Sequence, residues 1–290
     1  MTSTAKGSLF ALFAYLLWGV FPSYWKLLSP VDSLHILAAR IVFSLVFVGV
    51  LLIVKKNTAW LAHFRDKKKR GRIFVSAALV TINWGVYIFA VNSGHTVEAS
   101  LGYFINPLIS IVLGLFIFRE RLKPLQWAAF ALAAAGVALL TAFSGRFPFI
   151  ALALALSFAF YGLAKKTLSF DALEALAAET FASIPFAVIL LFIPAAGLSY
   201  LGTLPWPIAL CLVLAGPVTA LPLIFFAKGA RLIPLSTLGF VQFVNPILQF
   251  LSGVVLFRET FPPRNLLCFA LIWAAAILYC VSFFTKRERA

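Results

Sequence analysis

The chain has 290 residues, 63% hydrophobic and only 11% charged, with a mean hydropathy of +1.03. Soluble domains average about 45–50% apolar and about 25% charged residues, so a water-soluble globule is excluded: the charges are too few to cover its outside. The net charge of +15 does not point to nucleic acid, because the 24 Lys and Arg cluster in a few loops and leave no long basic face interleaved with aromatics.

The solvent that suits such a chain is a bilayer, where backbone polar groups are satisfied inside helices or a closed barrel. Barrel strands need short stretches of alternating polarity. The runs here are long and apolar throughout, so the expected fold is all-α and integral to the membrane. Ten runs approach the roughly 20 residues that cross a ~30 Å hydrocarbon core. In order they are Leu9–Trp25, Leu34–Val54, Ile73–Asn92, Ala99–Phe118, Leu125–Phe143, Pro148–Leu163, Leu173–Ile193, Pro207–Phe226, Leu235–Phe257 and Asn265–Phe284. The first follows Lys6 like the start of a signal peptide. It continues into Trp18-Gly19 with no small-residue cleavage site and is read as a retained helix.

Short connecting loops make neighbouring spans antiparallel, and loop charges orient them. With the N-terminus inside, nineteen Lys and Arg fall on the inner side, eight of them between Lys55 and Arg72. Four fall outside: Lys26, Arg146, Arg258 and Arg264. Both termini are therefore expected in the cytoplasm, with the basic loop near anionic headgroups. Cys211, Cys268 and Cys280 all lie inside apolar runs, with no disulfide or zinc spacing, and no cofactor is expected.

Polar and aromatic residues inside the spans are the candidate site. Trp18 lies in the first span and Arg40 in the second; an ionisable group within a bilayer is rare and costly, hence a functional candidate. The third span carries Asn83, Trp84, Tyr87 and Asn92, with Asn83 and Tyr87 on one face at i, i+4. Such a stripe suits an amphipathic organic solute or, alternatively, bonds helix to helix. Glu98 opens the fourth span, either complementing the helix dipole or acting at an outer gate beside His95. That pair supplies at most two ligands, so no metal site is expected. Further along, Pro107 lacks an N–H and displaces the carbonyl of Tyr103, and Pro246 in the ninth span does the same to Gln242. Asn106 and Asn245 stand beside these interruptions. The two prolines are either hinges whose neighbouring amides line a pathway, or kinks that only shape packing. Tyr161, in the sixth span, is an aromatic candidate like Trp18 and Tyr103. Glu179, in the seventh, is the best-placed carboxylate for proton coupling.

A repeat links these positions. Asn106-Pro107 and Asn245-Pro246 are 139 residues apart, as are Phe118-Arg119-Glu120 and Phe257-Arg258-Glu259. The same offset pairs Phe10 with Phe149, Lys26 with Lys165, Ser44 with Ser183, Pro124 with Pro263, and Arg40 with Glu179. Residues 1–145 and 146–290 are thus expected to be two five-span copies. Five is odd, so the second copy is inverted relative to the first, the architecture of alternating-access transporters with a midplane site. Arg40 and Glu179 then lie in the outer and inner thirds, close enough to pair only if their helices face each other; otherwise each braces its own half or faces the cavity from its own end. Lys26 and Lys165 are read as snorkelling at span ends, with a gating contact as the alternative. Arg119-Glu120 and Arg258-Glu259 are read as interface anchors or as gate ion pairs. Ala131/Ala135 and Ala270/Ala274 have the small-xxx-small spacing that lets helices approach closely, within the chain or in a homodimer.

The stretches AYLLWGVFPSYWKLL, INWGVYIFAVNSGHTVEASLGYFINP and ARLIPLSTLGFVQFVNP resemble the RarD group of EamA-type transporters, in the drug/metabolite transporter superfamily. The resemblance covers essentially the whole chain. It implies a bacterial inner-membrane protein with ten helices around a central cavity, exporting small organic molecules, under a label inherited from chloramphenicol sensitivity.

The leading expectation is a secondary transporter whose partners are lipid and a small-molecule substrate. No GxxxxGK[ST] pattern is present to cradle ATP phosphates. A membrane enzyme would want a catalytic acid/base or metal cluster, whereas the nine Asp and Glu and three His are in unrelated places. A non-transporting membrane subunit is the other alternative. The inferred cavity is aromatic and amide-rich with little net charge, favouring neutral, zwitterionic or lipophilic solutes over polyanions.

Overall fold

The computed structural model describes residues 2–92, 96–144, 147–168, 170–193, 199–251 and 263–282. Among them every regular element is helical. The first half holds α1 (Ser3–Leu27), α2 (Ser33–Val54), the short α3 (Ala59–Ala62), α4 (Lys67–Asn92), α5 (Thr96–Ile117) and α6 (Pro124–Ser144). The second holds α7 (Phe149–Thr167), α8 (Ala172–Phe192), α9 (Trp206–Leu232), α10 (Leu235–Gln242), α11 (Val244–Leu251) and α12 (Leu266–Ser282). Seven of these are long and apolar enough to cross a bilayer: α1, α2, α4, α6, α7, α8 and α9. Leu101–Ile117 and Leu266–Ser282 are shorter apolar helices. The expected spans ending at Phe257 and Phe284 run beyond the described residues, as do Arg258-Glu259 and His95.

Local sequence sets the helix starts. Asp32 caps α2 by accepting the Leu34 N–H at 2.8 Å, and Asp171 caps α8 by accepting the Leu173 N–H at 3.0 Å, each satisfying a donor the helix itself leaves open. Asp66 accepts from the N–H groups of Lys68 and Lys69, so α4 begins in the basic loop and not at Ile73. The bonds from Lys69 and Lys68 hold the Asp66 carboxyl below its ordinary range. The starts of α2 and α8, of α4 and α9, and of α5 and α10 are each 139 residues apart, matching the sequence offset.

The most extensive packing joins the halves to each other: α5 with α7, α6 with α12, α1 with α9, α2 with α8 and α9, and α10 with α5. Backbone approach there is close. A Cβ on Gly216 would sit 2.3 Å from the Phe43 carbonyl, and one on Gly239 would sit 2.7 Å from the Pro107 carbonyl. One buried apolar cluster lies among α1, α2, α4, α8 and α9, and a second among α5, α6, α10 and α12. Large apolar residues also cover the outside, Phe116 at 79% and Trp206 at 76% exposure, the inverse of a water-facing surface. Ala131/Ala135 and Ala270/Ala274 face outward. The α6–α12 contact uses other small residues, such as Gly136 against the Cys268 carbonyl.

The ninth expected span differs in kind from the expectation. Its described part is two helices, α10 and α11, separated by a turn at Phe243. Pro246 cannot donate to the Gln242 carbonyl, and the chain breaks immediately after Gln242. By contrast, α5 runs through Pro107 without interruption.

Candidate functional site

A cavity opens where the C-terminal halves of α1 and α4 meet the N-terminal halves of α2 and α5. Helix α1 contributes Tyr15, Trp18, Phe21, Pro22 and Trp25, whose spacing puts them along one helical face. Arg40 comes from α2, Asn83, Trp84 and Tyr87 from α4, Tyr103 from α5, and Phe158 from α7. The second half closes the ring with Gln242, Asn245 and Gln249. The space available to the centres of water-sized molecules is about 60 Å³.

Arg40 is 7% exposed. Its Nε donates to Thr219 Oγ1 on α9 at 3.2 Å. Its guanidinium carbon lies 4.4 Å from the Trp25 ring centre and 4.7 Å from that of Trp84. Cation–ring contacts of this kind contribute about 2 kcal/mol or more when desolvated, offsetting part of the cost of a charge away from water. Tyr87 and Tyr103 meet edge to face at 5.7 Å on an adjoining wall.

The floor is an amide network at the Asn106 level. Asn106 Nδ2 donates to the Ala155 carbonyl of α7 at 2.8 Å, and its Oδ1 accepts from Gln242 Nε2. Gln242 Oε1 accepts from the Tyr15 hydroxyl at 3.3 Å. Asn83 Nδ2 donates to the Leu154 carbonyl and to Ser157 Oγ, both at 3.0 Å, while Asn245 Oδ1 accepts from Gln249 Nε2 at 2.9 Å. Asn106 is 1% exposed and stands behind Gln242, not in the cavity wall; Asn245 is in the wall.

Glu179 lies elsewhere, on the opposite end of the bundle from the cavity. Its Oε2 is 2.7 Å from Lys165 Nζ and accepts from the Tyr161 hydroxyl at 3.3 Å; its Oε1 accepts from Ser76 Oγ at 2.5 Å. Tyr161 stacks on Phe226 at 5.8 Å with an 11° interplanar angle, so it packs the core there and does not line the cavity. At the same end, Glu120 caps α10: its two oxygens accept the N–H groups of Leu235 and Ser236 at 2.7 and 2.8 Å.

The structure thus brings Trp18, Arg40, Asn83, Trp84, Tyr87, Tyr103, Gln242 and Asn245 around one space. Asn106 and Pro107 lie behind that space, Pro246 sits at the helix break beside it, and Tyr161 and Glu179 form a separate cluster, with the Tyr161 ring in contact with that of the cavity residue Phe158 at 5.7 Å. The Glu98 side chain falls outside the described residues. Two readings are corrected and one alternative is decided. Lys165 does not snorkel; it is 1% exposed and paired with Glu179. Arg40 and Glu179 do not pair, since each has its own partners on different helices. Glu120 is neither a free interface anchor nor half of an ion pair; it is a helix cap. Sequence reasoning passed over Trp25 and Gln249, although the helical spacings Trp18–Trp25 and Asn245–Gln249 carry the signal. It also passed over Ser76, a lone hydroxyl with no distinguishing pattern.

Residues 5–142 match the EamA-like transporter family. Protein RarD of Streptomyces exfoliatus is 43% identical over 94% of this chain and 87% of that protein. Protein RarD of Escherichia coli (strain K12) is 40% identical over 98% of this chain and 97% of that protein. A protein crystal structure at 18% identity superposes with a TM-score of 0.72, over 95% of this chain and 98% of the other. That likeness concerns the fold alone.

Proposed function

The chain belongs to the EamA-like transporter family, and we propose that it is a secondary transporter, working as an exporter, of small amphipathic organic solutes. Two inverted five-helix halves, residues 1–145 and 146–290, alternate access to a site near the midplane. The observation that carries this reading is the asymmetry between two related ends. At one end, Arg40, Trp84 and Tyr87 surround open space. At the other, the positions 139 residues later, Glu179, Leu223 and Phe226, are buried and closed over by Lys165 and Tyr161.

The loop-charge asymmetry supports a cavity mouth on the outer face and a Lys165–Glu179 cluster on the cytoplasmic side, the arrangement of an outward-open state. An exporter releases solute from this state and reloads after the inner cluster opens. Energy comes from an ion gradient or from the solute's own gradient.

Proteoliposomes containing this chain alone test the proposal. The expected result is counterflow of at least one solute from a panel of aromatic acids, amines, amides and amphenicols, under imposed pH gradients of either sign. Absence of flux across the whole panel in both gradients would overturn it.

A further inference from the structure

We propose that Arg40 is the anion-binding point of the cavity and that the transported solute is an aromatic monocarboxylate. This rests on the transport reading above and specifies its substrate class. It revises the sequence expectation of a site with little net charge.

The donor inventory makes the case. An arginine has five N–H donors and no acceptor. Only the Nε hydrogen of Arg40 is used, on Thr219 Oγ1, and the ring contacts with Trp25 and Trp84 consume none. Its four terminal N–H groups make no hydrogen bond to any described residue. Among the described residues no carboxylate lines the cavity, and Glu179 is committed to Lys165. A desolvated guanidinium held by two indoles and one hydroxyl, with its terminal donors unused, is arranged for bidentate capture of a carboxylate brought from outside.

The rest of the lining fixes the remainder of the ligand. Trp18, Tyr87 and Tyr103 supply ring faces and edges for an aromatic body. Gln242, Asn245 and Gln249 supply neutral amides only, so among the described lining residues a second anionic group meets no second cation and an ammonium meets no acid. One cation among aromatics selects one negative charge on an aromatic frame.

The experiment compares isosteric probes on the full-length protein in nanodiscs: 3-phenylpropanoate, 3-phenylpropanamide and 3-phenylpropylamine. Binding is read by quenching of tryptophan fluorescence and by the shift in melting temperature. The carboxylate is expected to bind about tenfold or more tightly than the amide, the difference a charge-assisted pair makes, with the amine weakest. Arg40→Gln brings acid and amide to within about twofold, and Arg40→Lys, which keeps charge but not the fork, restores part of the preference. If Arg40→Gln does not fold, the wild-type ranking alone decides. Equal or tighter binding of the amide or amine, no binding of the acid, or an acid preference that survives Arg40→Gln overturns the inference. Flux of neutral or cationic solutes in proteoliposomes, with none of aromatic acids, sinks this inference while leaving the transport reading standing; no flux at all sinks the transport reading itself.

Discussion

Lys165 Nζ lies 2.7 Å from Glu179 Oε2, and both side chains are 1% exposed. Ser76 from α4 and Tyr161 from α7 donate to the same carboxylate, so one anion on α8 ties three helices together at the end opposite the cavity. Removing one partner of such a buried pair costs about 3–5 kcal/mol, because the other charge is stranded. In the proposed transport cycle, the inward-opening step parts these groups.

Glu179→Gln is therefore expected to loosen that end. In a background with Cys211, Cys268 and Cys280 replaced, a cysteine at position 223 (native Leu223, 2% exposed) should react several-fold faster with a membrane-impermeant maleimide when Glu179 is Gln. The same variant should lose the dependence of transport on an imposed pH gradient. Unchanged labelling and unchanged coupling together would remove Glu179 from the gating step.

The break at Phe243 differs from the continuous passage of α5 through Pro107, so the two prolines should respond differently. Pro246→Ala restores an N–H facing the Gln242 carbonyl and should join α10 to α11, slowing amide exchange around Phe243 while reducing transport. Pro107→Ala should change exchange little. Equal effects at the two positions would argue against a specific hinge in the second half.

Asn106 positions Gln242 without touching the cavity. Asn106→Ala leaves Gln242 Nε2 without its acceptor, a loss of about 1–3 kcal/mol for a buried polar group. The melting temperature should fall and KM for transport should rise, whereas Gln249→Ala, at the rim, should raise KM with little change in melting.

Close packing makes a sharper contrast. Gly239→Ala drives a Cβ to 2.7 Å from the Pro107 carbonyl and should destabilise by about 1–3 kcal/mol, as overpacking does. Gly49→Ala, with nothing within 4 Å of its Cβ, should instead stabilise α2 by up to about 1 kcal/mol through helix propensity. Chemical or thermal unfolding of the two variants in one detergent gives the comparison.

Glu120→Ala removes the cap on α10 and should cost about 0.5–2 kcal/mol, with amide exchange accelerating first at Leu235 and Ser236.

Much of this architecture is legible in the sequence because lipid imposes length and apolarity on every span. Asp32 and Asp171 even mark the starts of α2 and α8 to the residue. Position along the helix was legible too: Arg40 and Glu179 are each the eighth residue of their helices. Direction around the helix axis was not, since it depends on which neighbour a helix meets. Lys165 looks like a span-end lysine until α8 is placed against α7. Asn106 looks like a pathway residue until Gln242 is found in front of it. The amides and aromatics of α4 were easier, because Asn83 and Tyr87 share a face whatever lies opposite.

The tightest helix contacts lie between the halves, as at Gly216 against Phe43 and Gly239 against Pro107. During synthesis this leaves the first five helices in the bilayer with their best-fitting surfaces unfilled until the second five arrive. Residues 1–145 made alone should be a substrate for membrane quality-control proteases, and the two halves made as separate chains should rescue each other.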